Sequence, residues 1–254
     1  MLESFLTELS FQYFFVFSRI GAALMLLPGF GEFYVQPRVR LLLALAVSML
    51  VLPIVQPLIP EAPGDIMQAF VLVGGEVLAG IFIGALARII QSVMHIAGMI
   101  IAFQSSLASA ILFDSTQGSQ GSVIGNFMTI LGITLLFTTD LHHVMLQGLV
   151  SSYHVFIPAQ LPPMGDFAES AANLLAEGFL LAVKIGAPLI VIGLLIYLGA
   201  GMMSRLMPNM QVFFIMVPLQ LLISFYIMMI TLSAGMMWYI NHFEDSLSSL
   251  LGLN

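Results

Sequence analysis

The stretch Ala171–Met203, AANLLAEGFLLAVKIGAPLIVIGLLIYLGAGMM, carries two charges, Glu177 and Lys184, and one proline, Pro188, in an otherwise apolar run. As a helix it is about 50 Å long at 1.5 Å per residue. A bilayer's hydrocarbon core is about 30 Å thick. A proline kink at Pro188 and helix tilt absorb part of the excess. The remainder has to be covered by protein, because apolar surface in water is costly. This one stretch therefore implies both a membrane and partners.

The whole chain agrees. Its 254 residues are 60% hydrophobic and 7% charged, with mean hydropathy +1.07. Soluble domains carry about 25% charged residues, so the surface is built for lipid. The net charge is -7 and there are only six Lys and Arg, which excludes a nucleic-acid partner. With no cysteine, neither a disulfide framework nor a thiolate metal site is available. Glu3 and Glu8 stand where a signal peptide carries basic residues, so the N-terminal segment is expected to stay attached.

Further apolar segments lie at roughly 11–30, 41–59, 66–87, 89–113, 123–139, 141–157 and 211–240. Those at 123–139 and 141–157 are marginal for the roughly 20 residues of a spanning helix. Pro218 is a second candidate kink. No segment alternates with period two between turn residues, which disfavours a β-barrel. The expected fold is all-α: a polytopic membrane protein of long kinked helices and helical hairpins. Counted as eight spans, the connections with Arg38 and Arg40, with Arg88 and with Arg205 fall on one side, the cytoplasmic one. Both termini then face outward. The breaker run PAQLPPMGD, Pro158–Asp166, separates an N-terminal region (residues 1–165) from a C-terminal hairpin (residues 166–254) that turns at RLMPN, with Arg205 and Pro208.

Charges inside apolar segments are functional candidates by default: Arg19, Glu76, Glu177 and Lys184. A charge at the membrane centre costs about 2.5–3.5 kcal/mol, so each should face protein or water. Structural pairing between helices, Arg19 with Glu76 for instance, is the expected use. Gly80 and Gly84 form GxxxG in GIFIG, read as close helix packing within the chain. The methionines read mainly as core or lipid-facing filler. His142 and His143 adjoin Asp140, but neighbouring residues diverge on a helix, so one metal is not expected to take both. No HExxH, CxxC or GxSxG occurs; neither a metal site, a cofactor nor an enzymatic reaction is expected.

Taken in order, SRIGAALMLLPGFGEFYVQPRVRLLLALAVSMLVLP (with Arg19, Pro28, Pro37, Arg38, Arg40 and Pro53), GEVLAGIFIG, HIAGMIIAFQSSLASA, Phe113-Asp114 and SRLMPNMQVFFIMVPL (with Arg205, Pro208, Phe213 and Pro218) resemble the FliR family of the flagellar type III export apparatus. That family is related to the SctT proteins of virulence injectisomes. The resemblance is collinear over about residues 10–220. Ser115 stands where the family often has proline, and Asn209 where it often has glutamine.

The resemblance implies a FliP-like region, residues 1–165, followed by a FliQ-like hairpin, residues 166–254. It implies FliP-like and FliQ-like partners, completed by this chain into a helical pore for unfolded export substrates. An FlhB-like protein packs on the closed gate. The site is the bacterial inner membrane at the flagellar basal body, with the assembled core partly lifted toward the periplasm. The region 105–122, SSLASAILFDSTQGSQGS, then matches a loop that plugs the pore lumen, with Gln104, Ser105, Ser106, Leu107, Ala108, Ser109, Phe113 and Asp114 at its head. Arg19, Glu76, Glu177 and Lys184 become buried charges of assembly. The alternatives are an injectisome gate protein, a scaffold for rod assembly, or an ion-coupled transporter using Glu76, Glu177 or Lys184. A transporter of that class tends to show matching halves, and none is visible.

Overall fold

The computed structural model describes residues 2–106, 122–160, 164–207 and 212–252. Among these the chain is helical throughout, without a strand. The helices are α1 (Leu2–Leu24), α2 (Pro37–Val55, followed by a 3-10 turn Gln56–Leu58), α3 (Ile66–Gln104), α4 (Val123–Thr138), α5 (Leu141–Val155), α6 (Met164–Leu206) and α7 (Val212–Leu251). Four of these regions are long and apolar enough to cross a membrane: α2 with its 3-10 turn, α3, α6 and α7. A fifth is added if α4 and α5, bent by 77°, count as one broken span. The all-α, multi-pass reading stands.

The count of eight spans does not. Segment 66–87 and the next one as far as Gln104 form a single helix, α3 (Ile66–Gln104), of 39 residues. Arg88, read as the mark of a connection, lies inside it. Its guanidinium bonds to the Leu26 carbonyl at 3.3 Å and pairs with Glu32 at 3.4 Å. A charge with a partner in reach does not break a helix, and the charge alternation built on eight spans loses one of its marks. Pro188 and Pro218 likewise sit inside the continuous helices α6 and α7. At 43 residues α6 is about 64 Å long, longer than its apolar stretch alone.

Helix starts follow local chemistry. Pro37 occupies the first turn of α2, where no backbone N–H is needed, and Gln36 before it is extended (φ -60, ψ 137). The connection before α2 is organised by Arg40, which donates to the carbonyls of Glu32 (2.6 Å) and Val35 (2.8 Å).

The chain divides into two compact units. One comprises Met1–Ile90, Leu136–Leu175 and Phe243–Asn254; the other comprises Gln91–Leu135 and Ala176–His242. In the first, α1 buries Phe15, Val16, Ile20, Ala23 and Leu24, an i, i+4 stripe. It approaches α3 where Gly80 and Gly84 lie. A Cβ on Gly84 would meet the Ala23 carbonyl at 2.8 Å, and one on Gly80 would strike the carbonyl of Arg19. The GxxxG is therefore intrachain packing, as expected. In the second unit Val93, Met94, Ala97 and Ile101 of α3 are buried with Met128 of α4 and Ile185 of α6. Tyr239 there donates to Gln91 Oε1, while Gln91 Nε2 donates to the Thr129 carbonyl at 3.1 Å.

Candidate functional site

Two polar constructions stand out in these apolar surroundings, one in each unit. In the first unit Arg19 and Glu76 are each 1% exposed. Arg19 Nε donates to Glu76 Oε2 at 2.6 Å and Nη2 donates to Oε1 at 3.0 Å, a bidentate fork. The remaining donors reach the end of α5. Nη1 bonds the Ser152 carbonyl at 3.0 Å and the Ser152 hydroxyl at 3.4 Å, and Nη2 bonds the Phe156 carbonyl at 3.0 Å. These five contacts match the five N–H donors of a guanidinium. The guanidinium also lies 4.0 Å from the ring centre of Tyr153, a cation–π contact. Glu76 receives a further bond from the backbone of Ala159, a residue held at φ 70. Arg19 thus joins α1 to α3 and caps the carbonyls at the C-terminal end of α5, where a cation is favoured. Every N–H of the guanidinium is engaged and both carboxylate oxygens accept a bond from it, so the pair serves to join helices. It is a clamp.

The second construction holds the foot of the 105–122 stretch. Gln220, on α7 and 1% exposed, donates from Nε2 to the Gln104 carbonyl at 2.5 Å and accepts from the Ser106 hydroxyl at 2.7 Å. Its Nε2 also lies 3.5 Å from the Tyr197 hydroxyl on α6. Ser105 is buried and donates to the Ala102 carbonyl at 3.1 Å. Ser106, two residues past the end of α3, takes the left-handed conformation at φ 62, which does not continue a helix. A buried amide with both ends satisfied holds the Gln104 carbonyl and the Ser106 hydroxyl against α7.

Much of the apolar surface of α6 and α7 is uncovered. Only 17% of α7's most apolar window is buried within the chain, against 44% for α3. Leu180, Val191, Leu195, Leu198 and Met202 on α6, with Leu222, Tyr226, Met229 and Ile230 on α7, stand exposed.

The family model for bacterial export proteins, family 1, matches residues 10–246. The chain belongs to that family. It is a family of export proteins and not of enzymes, and the resemblance to FliR holds. The chain is 33% identical to the flagellar biosynthetic protein FliR of Caulobacter vibrioides, over 88% of this chain and 89% of the relative. It is 29% identical to the FliR of Aquifex aeolicus, over 96% and 92%. It is 29% identical to the Yop proteins translocation protein T of Yersinia pestis, over 63% and 62%.

Of the family-matching residues named from sequence, Arg19 and Glu76 meet as expected, Gln104 and Ser106 share the Gln220 clamp, and Ser105 between them bonds the Ala102 carbonyl. Arg205 lies in the last turn of α6, next to Leu206 where that helix ends. Leu107, Ala108, Ser109, Phe113, Asp114 and Pro208 lie outside the described residues. Glu177 and Lys184, read from sequence as charges buried in the assembly, are exposed on α6 within this chain alone, and neither forms an ion pair among the described residues. The reason is geometric: they share one face of α6, and that face is turned away from the rest of its unit. Sequence reading missed Ser152, Tyr153 and Ala159 around Arg19, and Gln220 under the stretch. The last was findable, being a lone amide inside an apolar helix.

Proposed function

We propose that this chain is a core component of the flagellar type III protein export gate in the bacterial inner membrane. It completes a helical pore with FliP-like and FliQ-like subunits, through which unfolded export substrates pass. The observation that carries this reading is similarity to flagellar relatives over nearly the whole of both chains, 88% and 89% for the Caulobacter protein. The uncovered faces of α6 and α7 support it. A helix face with Glu177 and Lys184 set among exposed leucines suits protein neighbours better than lipid. In this reading residues 1–165 are FliP-like, residues 166–254 form a FliQ-like hairpin, an FlhB-like protein packs on the closed gate, and the assembled core sits partly toward the periplasm. The 105–122 stretch fills the idle lumen, its foot set by Gln220.

The injectisome reading rests on the Yersinia relative, which aligns with 63% of the chain, and is the weaker of the two. Two measurements test the proposal. Tagged chain expressed with candidate FliP-like and FliQ-like proteins should co-purify with both. The chain should also restore export of flagellar substrates to a strain deleted for it. A monodisperse, protease-resistant monomer that ignores those partners would overturn the assembly. Deleting Ser115–Ser122 should raise membrane ion conductance in intact complexes, and an unchanged conductance would remove the plug.

A further inference from the structure

The bend between α4 and α5, in the first unit, gathers three metal-ligating side chains. Asp140, His142 and His143 each offer a ligand atom, and these atoms lie within 4.8 Å of one another. Adjacent side chains diverge at the root on a helix, yet the two imidazole centroids here are 4.0 Å apart. His142 is stacked on Phe137 at 4.9 Å and 16°, and Phe137 packs on Phe30 at 5.5 Å, so the His142 ring plane is set by packing. Asp140, at φ 60, precedes α5. His143 Nδ1 lies 3.6 Å from Asp140 Oδ1, too long for a hydrogen bond.

An independent observation points to a ligand. Nδ1 of His142 is buried and has no hydrogen-bond partner among the described residues. An orphaned buried polar atom costs about 1–3 kcal/mol and calls for a reason. Asp140 and His143, with side chains 78% and 62% exposed, leave the cluster open to an arriving ion.

We propose that Asp140, His142 and His143 bind a divalent transition cation of the zinc class. Two imidazole nitrogens and one carboxylate suit Zn²⁺ or Co²⁺; Ca²⁺ and Mg²⁺ want an all-oxygen shell. Bond lengths of about 2.0–2.2 Å place tetrahedral ligand atoms about 3.4 Å apart. The set therefore closes by roughly an ångström, which rotation of the exposed Asp140 and His143 side chains supplies. The helix N-terminus carries partial positive charge that opposes a cation, and the Asp140 carboxylate offsets it. With three protein ligands the fourth position is left to water or to a neighbouring subunit. Such an ion fixes Asp140, the residue before α5, onto the first turn of that helix.

The test uses the full chain, purified through a tag without histidines together with the subunits that accompany it, stripped with chelator and titrated with Co²⁺. The wild-type preparation should bind one more Co²⁺ per chain than the His143→Ala preparation, with visible absorption that Zn²⁺ abolishes. Asp140→Asn should weaken that site at least about tenfold. Both substituted side chains are largely exposed, so elution on size exclusion should not change. Equal Co²⁺ uptake by wild type and both variants overturns the proposal, whether the uptake is zero or moves to His95, His154 or His242.

Discussion

Replacing Glu76 by alanine removes the two bonds at 2.6 and 3.0 Å that neutralise Arg19. The guanidinium keeps the Ser152 and Phe156 carbonyls, but at 1% exposure its charge has neither water nor a counter-ion. Breaking a buried pair from one side costs about 3–5 kcal/mol. Folded chains are stable by only about 5–15 kcal/mol, so the loss is a large fraction of the whole. With about 2–4 °C per kcal/mol for a chain of this size, resistance to heating should fall by about 6–20 °C. The assay is size exclusion of detergent extracts after graded heating, with complex yield read from the same samples. Replacing both partners by apolar residues, Arg19→Met with Glu76→Leu, should recover much of the loss, because no orphaned charge remains. Wild-type heat resistance and yield in Glu76→Ala, combined with lost secretion, would refute the clamp and make Glu76 a group that acts in transport.

Gly84→Leu should abolish the folded chain, because α1 stands against that position, whereas Gly74→Ala, with open space around it, should match wild type in yield. Gln220→Leu strips the Gln104 carbonyl and the Ser106 hydroxyl of their partner; extracts should lose about 1–3 kcal/mol of heat stability, and an unshifted melting curve would contradict the clamp under the stretch. Glu177→Ala and Lys184→Ala, on the exposed face of α6, should change the chain's own stability by no more than about 0.5 kcal/mol while lowering recovery of partner subunits. Equal losses of both would place these charges inside the chain.

Helix identity was legible in the sequence because membrane helices announce themselves by run length and composition, with little help from tertiary context. Helix continuity was not. Arg88 reads as a border in one dimension and proves to be an interior residue once Glu32 and the Leu26 carbonyl reach it. The Arg19–Glu76 pair followed from the rule that charges in lipid need partners, since only a few charged residues were available to meet. Its surroundings did not follow, because two of the contacts are to the backbone carbonyls of Ser152 and Phe156, and backbone groups carry no sequence signature. The closeness of the His142 and His143 rings was not legible, because Cβ directions do not give ring positions and the His142 ring is stacked on Phe137.

The clamp around Arg19 has a consequence for how the chain is made. Its members are far apart in sequence: Glu76 is 57 residues downstream of Arg19, and Ser152 and Phe156 are 133 and 137 residues downstream. A ribosome adding about 5–20 residues per second delivers Glu76 some 3–11 s after Arg19, and the Phe156 carbonyl some 7–27 s after it. Throughout that interval α1 carries an uncompensated arginine, which costs about 2.5–3.5 kcal/mol in lipid, and α1 is not among the helices apolar enough to cross by composition alone. The Arg19 clamp can therefore close only after α3 and α5 have been made, so the packing of α1 against them is complete only once the chain has been synthesised past Phe156.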